Sequence, residues 1–174
     1  MKRIAILAAA ALALPAMADN DHGGAPLRAT LIGYEEVPAV DTVAQGTFEA
    51  RIARDESSVD YTLTYSGLQA PVTMSHIHFA QKSVNGSIIV WLCGTAGSPG
   101  PAGTQACPGT GGTVTGTFTS ANVLSSSSTQ QFKAGDLASL IDALRSGIAY
   151  VNVHSSLSPG GEIRGQVRAR GNSD

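Results

Sequence analysis

The sequence predicts an all-β protein, an antiparallel β-sandwich or barrel of about eight strands with one short helix. Three observations carry this. From Leu27 onward the chain is a series of short segments rich in Val, Ile, Thr and Tyr, broken by Gly, Pro, Ser or Asp, the composition and punctuation of strands and tight connections. Several segments alternate with a period of two: Val59, Tyr61, Leu63 and Tyr65 fall on one face of an extended chain and Asp60, Thr62 and Thr64 on the other. Only one segment has helical spacing, so the crossover helices of a parallel sheet are missing.

In chain order the expected strands are LRATLIG from Leu27, GTFEARIAR from Gly46, SVDYTLTYSGL from Ser58, VTMSHIHFA from Val72, GSIIVWLC from Gly86, GTVTGTFTS from Gly112, IAYVNVHSS from Ile148 and GEIRGQVRA from Gly161. The helical segment is AGDLASLIDALRSG. Its apolar residues Leu137, Leu140, Ile141 and Leu144 share a stripe, Asp136 is placed to cap the start and Gly147 to end it. About three turns are expected, lying across an opening of the sandwich. The preceding SANVLSSSSTQQF, Ser120 to Phe132, is Ser-rich and is expected to be exposed and mobile.

The first eighteen residues, MKRIAILAAAALALPAMA, combine two positive charges, an apolar run and a small-residue ending at Ala16, Met17 and Ala18. That is the pattern of a secretory signal peptide cleaved after Ala18, and it places the mature protein in the periplasm or outside the cell. Residues 19–26 read as a polar, Gly-rich arm, and 27–170 as one domain with no internal repeat. Without Lys2 and Arg3, nine of the eleven basic residues remain against thirteen acidic ones, a formal charge of −4. Such a chain has no electrostatic footprint for nucleic acid, and its apolar runs are too short to span a membrane. Cys93 and Cys107 bracket the Gly- and Pro-rich GTAGSPGPAGTQA, and export favours a disulfide between them.

Candidate chemistry rests on histidine. His76 and His78 stand two apart on one strand, on the face opposite Ile77 and Phe79, and Met74 shares their phase. On the IAYVNVHSS strand Tyr150, Asn152 and His154 share a face while Val151 and Val153 take the other. If the two strands are neighbours, His76, His78 and His154 form a three-imidazole site for copper or zinc, with Met74 as a soft ligand favouring Cu(I). The bland alternative makes them half-exposed polar positions bonded to loop carbonyls. His22, in the arm, is left off the site. After the tight turn at Pro159, Gly160 and Gly161, Glu162 and Arg164 share a face of the last strand, where such charges ordinarily sit in solvent or in a structural ion pair. No nucleophile elbow, phosphate loop or H-E-x-x-H motif is present.

Three tracts together, LRATLIGYEEVPAV, SHIHFA followed by NGSIIVWLC, and AYVNVHSSLSPGGEIRGQV, resemble the chordin-domain (CHRD) family over roughly Leu27 to Arg168. The matching positions are Glu36, Val37, Pro38, His76, His78, Asn152, His154, Gly161, Glu162 and Arg164. The resemblance implies an immunoglobulin-like, Greek-key β-sandwich or barrel in an exported protein, and makes Glu36, Asn152, Glu162 and Arg164 candidate binding or structural residues. The functional expectation is a non-enzymatic exported binding protein that holds copper or zinc through the three histidines. Its alternatives are a structural or adhesive module with a protein partner and no metal, and a copper redox enzyme of the superoxide-dismutase kind. The last rests on a looser likeness of architecture and of the H-x-H strand pair, and that enzyme class uses four histidines on copper.

Overall fold

The computed structural model describes residues 26–169. The segment read as a signal peptide, the arm up to residue 25 with His22, and residue 170 lie outside the described residues.

Nine strands form one antiparallel sheet. They are β1 (Leu27–Ile32), β2 (Gln45–Ile52), β3 (Val59–Ser66), β4 (Val72–Phe79), β5 (Ser87–Gly94), β6 (Gly112–Phe118), β7 (Ala149–Ser155), β8 (Ile163–Gln166) and β9 (Arg168–Ala169), with one α-helix, α1 (Leu137–Arg145), between β6 and β7. The spatial order is β5-β4-β7-β8-β1-β2-β3-β6, with β9 paired to β1. The expected fold class holds, as a single sheet curled into a nearly closed barrel. The eighth expected strand is divided: β8 pairs with β7 and meets β1 at Ile32 and Arg164, then β9 pairs with the start of β1. At the division Gly165 passes so close to the Thr30 carbonyl that a Cβ there would strike backbone.

The alternation in the sequence sets the two faces. Leu27, Ala29 and Leu31 of β1, Phe48, Ala50 and Ile52 of β2, and Val59, Tyr61, Leu63 and Tyr65 of β3 are buried in one core, and their polar neighbours face out. Ile77, Val151, Val153 and Ile163 continue that core through β4, β7 and β8. The strand β5 departs from simple alternation. Its register to β4 shifts on either side of Ile77, and Ile89, Val90, Leu92 and Cys93 are all buried; an extra residue on one strand of a pair re-aims the side chains that follow it.

The end strands approach through the segment before β6. Gly94 donates to the Gln105 carbonyl at 2.9 Å, Cys107 donates to the Gly94 carbonyl at 2.9 Å, and the Cys93–Cys107 disulfide ties the same edge, with Cα atoms 4.9 Å apart. Helix α1 is capped by the Asp136 carboxylate, which accepts from the Ser139 N–H at 3.0 Å. It presents Leu137, Leu140, Ile141 and Leu144 to the core, and Gly147 follows its end at φ 71°. Its nine residues make two and a half turns, slightly fewer than expected. The Ser-rich connection before it is pinned. Val123 and Phe132 are buried, Leu124 donates to the Ile89 carbonyl, and the Gln130 side chain bridges the Ser87 N–H and the Phe79 carbonyl. Most of its residues are exposed, as expected, and the two apolar anchors fix its path.

Replacing both Cys93 and Cys107 by Ser is expected to lower stability by about 3 kcal/mol, the chain-entropy value for a loop of this size. Urea unfolding of the oxidised protein and the double variant measures it; equal midpoints would show that the edge closes without the bridge.

Candidate metal centre

The two histidine strands are neighbours. Strand β4 pairs antiparallel with β7, setting Met74 opposite His154, His76 opposite Asn152 and His78 opposite Tyr150. Directly opposed residues project to the same side of a sheet. The row through Trp91, His76, Asn152, Arg164 and Ile32 therefore runs across five strands on the outer face, away from Ile77, Val151 and Val153. An outer face was expected to be half exposed. Instead His76, His78 and His154 are 1%, 8% and 5% exposed.

Loops supply the cover. The segment 33–44, which contains a cis Val37–Pro38 peptide, the connection 80–86 and the turn 156–162 converge over β4, β7 and β8. Their anchors are the two charges of the last strand region, and here too the sequence expectation of a solvated face is corrected. Glu162 is fully buried: its carboxylate accepts from the Thr42 hydroxyl at 2.9 Å, the Gln69 N–H at 2.9 Å and the Ser155 hydroxyl. Arg164, 1% exposed, donates to Asn85 Oδ1 at 3.1 Å and to the carbonyls of Val84 at 2.9 Å and Gln81 at 3.3 Å, and lies 3.4 Å over the Tyr150 ring. Neither residue needs the other as a partner. Because each is bonded to loop backbone, the pair holds the connections down over the histidines.

Within this enclosure the three imidazoles converge. His76 lies 4.7 Å from His78 and 4.6 Å from His154, centroid to centroid, and one ligand nitrogen from each ring lies within 4.8 Å of the others. His78 stacks on Tyr150 at 4.6 Å with the planes 3° apart, and His76 meets Trp91 edge-on at 5.1 Å. Nδ1 of His78 is 2.8 Å from the Gly86 carbonyl, and Nδ1 of His154 is 2.9 Å from the Pro159 carbonyl. A carbonyl only accepts, so both Nδ1 atoms carry the proton and both Nε2 atoms keep a bare lone pair. Those two Nε2 atoms and both nitrogens of His76 are buried without a hydrogen-bond partner. Asn152 Oδ1 and Glu36 Oε1, on the same face, are in the same condition. Buried polar atoms are nearly always paired, so this concentration singles the cluster out as a candidate binding site.

Electrostatics agree. Desolvation lowers His76 to about 2, helped by the charges that His154 and His78 would carry, and lowers His78 to about 4; burial lowers His154 as well. The rings are neutral. Desolvation raises Glu36 to about 7 against the opposing pull of Arg164, and Glu36 packs on Gly161, whose φ of 125° and missing Cβ make room for it. The Asn152 amide interacts with Glu36, His76 and His78. Met74 is half-buried, opposite His154 on the histidine face. Sequence reasoning missed Trp91, because the register shifts in β5 hide its phase, and it missed the pinning carbonyls of Gly86 and Pro159, which are backbone atoms on loops with no residue-type signal.

The fold and site define a class: an antiparallel, barrel-like β domain that carries a roofed three-imidazole cluster on the outside of its sheet. The chain matches the CHRD domain model over residues 27–167, most of its length, and belongs to that family. No curated protein and no solved structure matches it.

Two outcomes follow from the burial. Below about 6.5 the unfolded chain takes up histidine protons that the folded chain refuses, so metal-free protein loses stability as pH falls from 6.5 toward 4, by about 1 kcal/mol per pH unit for each of His76 and His78, with His154 acting in the same direction. Glu36 opposes this between 4.5 and about 7, where the folded state holds the proton. Thermal unfolding in chelator across this range measures the slope, and His76→Gln flattens it; a profile unchanged by that variant would mean His76 is not buried. Glu162→Ala, which strands three donors, is expected to cost about 3 kcal/mol in urea unfolding.

Proposed function

We propose that this CHRD-domain protein is an exported binding protein that holds one transition-metal ion, copper or zinc, through His76, His78 and His154. One observation carries the reading: lone-pair nitrogens from three rings converge in a sealed space with no protein partner, while two of the rings are oriented by Nδ1–H bonds to backbone carbonyls. Metal-bound histidines are ordinarily oriented in this way by their second nitrogen. Imidazole sits about 2.0–2.1 Å from a first-row metal, so nitrogens around one ion lie within roughly 4 Å of each other. The cluster, with its nitrogens within 4.8 Å of one another, reaches that by drawing the rings together.

Export rests on residues 1–18, read as a signal peptide cleaved after Ala18, and on the disulfide, which persists in oxidising compartments. Among the described residues no helix is long and apolar enough to cross a membrane. The sealing of the three nitrogens favours holding an ion over turning over a diffusing substrate, and so favours binding over dismutase chemistry. A second reading, an adhesive module, is favoured by the apolar side chains Tyr34, Val43, Val84 and Leu157, exposed on the loops that cover the cluster. In it the histidines brace those loops and a protein partner meets the surface above them.

Metal analysis of protein taken from its native compartment is expected to find one equivalent of copper or zinc. Calorimetric titration of chelator-treated protein should show one site, and His76→Gln with His154→Gln should lower its affinity at least a hundredfold. No stoichiometric uptake of either metal would sink the metal reading. The adhesive reading instead expects Tyr34→Ser and Leu157→Ser to abolish capture of a protein partner that the histidine variant still binds.

A further inference from the structure

The ligand set narrows the identity of the ion. All three donors are neutral, and no carboxylate or thiolate of the described residues joins them. Glu162 is engaged with Thr42, Gln69 and Ser155, and Glu36, the other carboxylate buried beneath these loops, interacts with the Asn152 amide. The free nitrogens are closed to solvent. An ion seated among them therefore gives up its water and meets no negative ligand. That loss grows with the square of the charge, so it is about four times larger for a divalent than for a monovalent ion of similar size.

A positive charge lies nearby. The guanidinium of Arg164 lies against the Tyr150 ring on which His78 stacks, and its hydrogen bonds go to two carbonyls and an amide oxygen; Glu36 and Glu35 feel its charge without a hydrogen bond to it, and that charge still disfavours a second cation at His78. Coordination number points the same way. Structural Zn(II) sites use four protein ligands, commonly with thiolates, and catalytic ones keep a position open to water. This cluster has three imidazoles and a closed roof, and the side chain opposite His154 in the register is a thioether, Met74. Thioethers are soft donors that select Cu(I).

We propose that the site takes a soft monovalent cation, Cu(I) or its analogue Ag(I), in preference to Zn(II) or Cu(II). This rests on the metal-binding reading and sharpens it to one charge type. The protein is then a holder of reduced copper, in which three neutral imidazoles keep the ion away from water and Met74 supplies the fourth contact.

The test is a titration of the purified, disulfide-intact chain at neutral pH with Ag(I), with Cu(I) under anaerobic conditions against a competing chelator, and with Zn(II) and Cu(II). Trp91, the single tryptophan, stands 5.1 Å from His76, so its emission reports occupancy. Ag(I) and Cu(I) are expected to bind at one equivalent and at least 100-fold more tightly than Zn(II) or Cu(II). Binding of either divalent ion as tightly as Ag(I) overturns the inference and leaves the metal reading standing; uptake of none of the four removes both. Asn152→Asp brings a carboxylate to the cluster and should shift the Zn(II)-to-Ag(I) affinity ratio at least tenfold toward Zn(II). An unchanged ratio in a variant with wild-type near-ultraviolet circular dichroism overturns the charge argument. Met74→Leu should lower Ag(I) affinity at least tenfold, and unchanged affinity would remove Met74 from the site.

Discussion

Glu162 and Arg164, two residues apart where the chain returns to the sheet beside β7, hold three loops over the outer face of β4, β7 and β8. A charge buried without partners costs several kcal/mol, so each of these side chains is tolerable only with its full set of bonds. Apart from the bond to Ser155 of β7, those bonds end on loop backbone and loop side chains. The requirement that two charges be satisfied is thus also the requirement that the loops be closed. Everything distinctive about the site follows: its burial, the neutral rings, and the nitrogens left without a hydrogen bond.

Stability and function pull against each other here. The barrel interior is conventional, a continuous cluster of aliphatic and aromatic side chains from eight strands and α1. Outside the barrel the chain maintains a second buried layer that is polar and incompletely paired, with at least six orphan atoms on Glu36, His76, His78, Asn152 and His154. Each such atom costs about 1–3 kcal/mol relative to a paired one. A fold retains such a cost where the unpaired groups are the binding machinery. The enclosure also sets the chemistry available, since neutral nitrogen donors in a dry space favour holding a cation over exchanging it with water.

The interior was legible in the sequence because burial on one face leaves a period of two. The apolar series in β1, β2 and β3, the helical stripe and cap of α1, and the Cys93–Cys107 bridge can each be read from residues a few positions apart, or from the composition of the segment between them. The common phase of Met74, His76 and His78, and of Tyr150, Asn152 and His154, was equally plain. The Ser-rich connection is largely exposed, as its composition implies, and its two buried residues, Val123 and Phe132, are contacts that composition averages away. Trp91 escaped because β5 shifts register against β4, and alternation carries no record of a shift.

By itself, then, the sequence determined which side chains share a strand face, since that depends only on backbone geometry within a segment. Only the tertiary structure decided that β4 and β7 are neighbours, that His154 stands beside His76, and that the face they share is covered. Adjacency of strands and closure of loops depend on pairings between residues far apart in the chain, such as His76 with Asn152 and Val84 with Arg164. An outward-facing histidine has the same local pattern whether water or a loop lies above it. The difference between a polar surface and a buried histidine cluster came from what Glu162 and Arg164 reach, and that is a property of the folded chain alone.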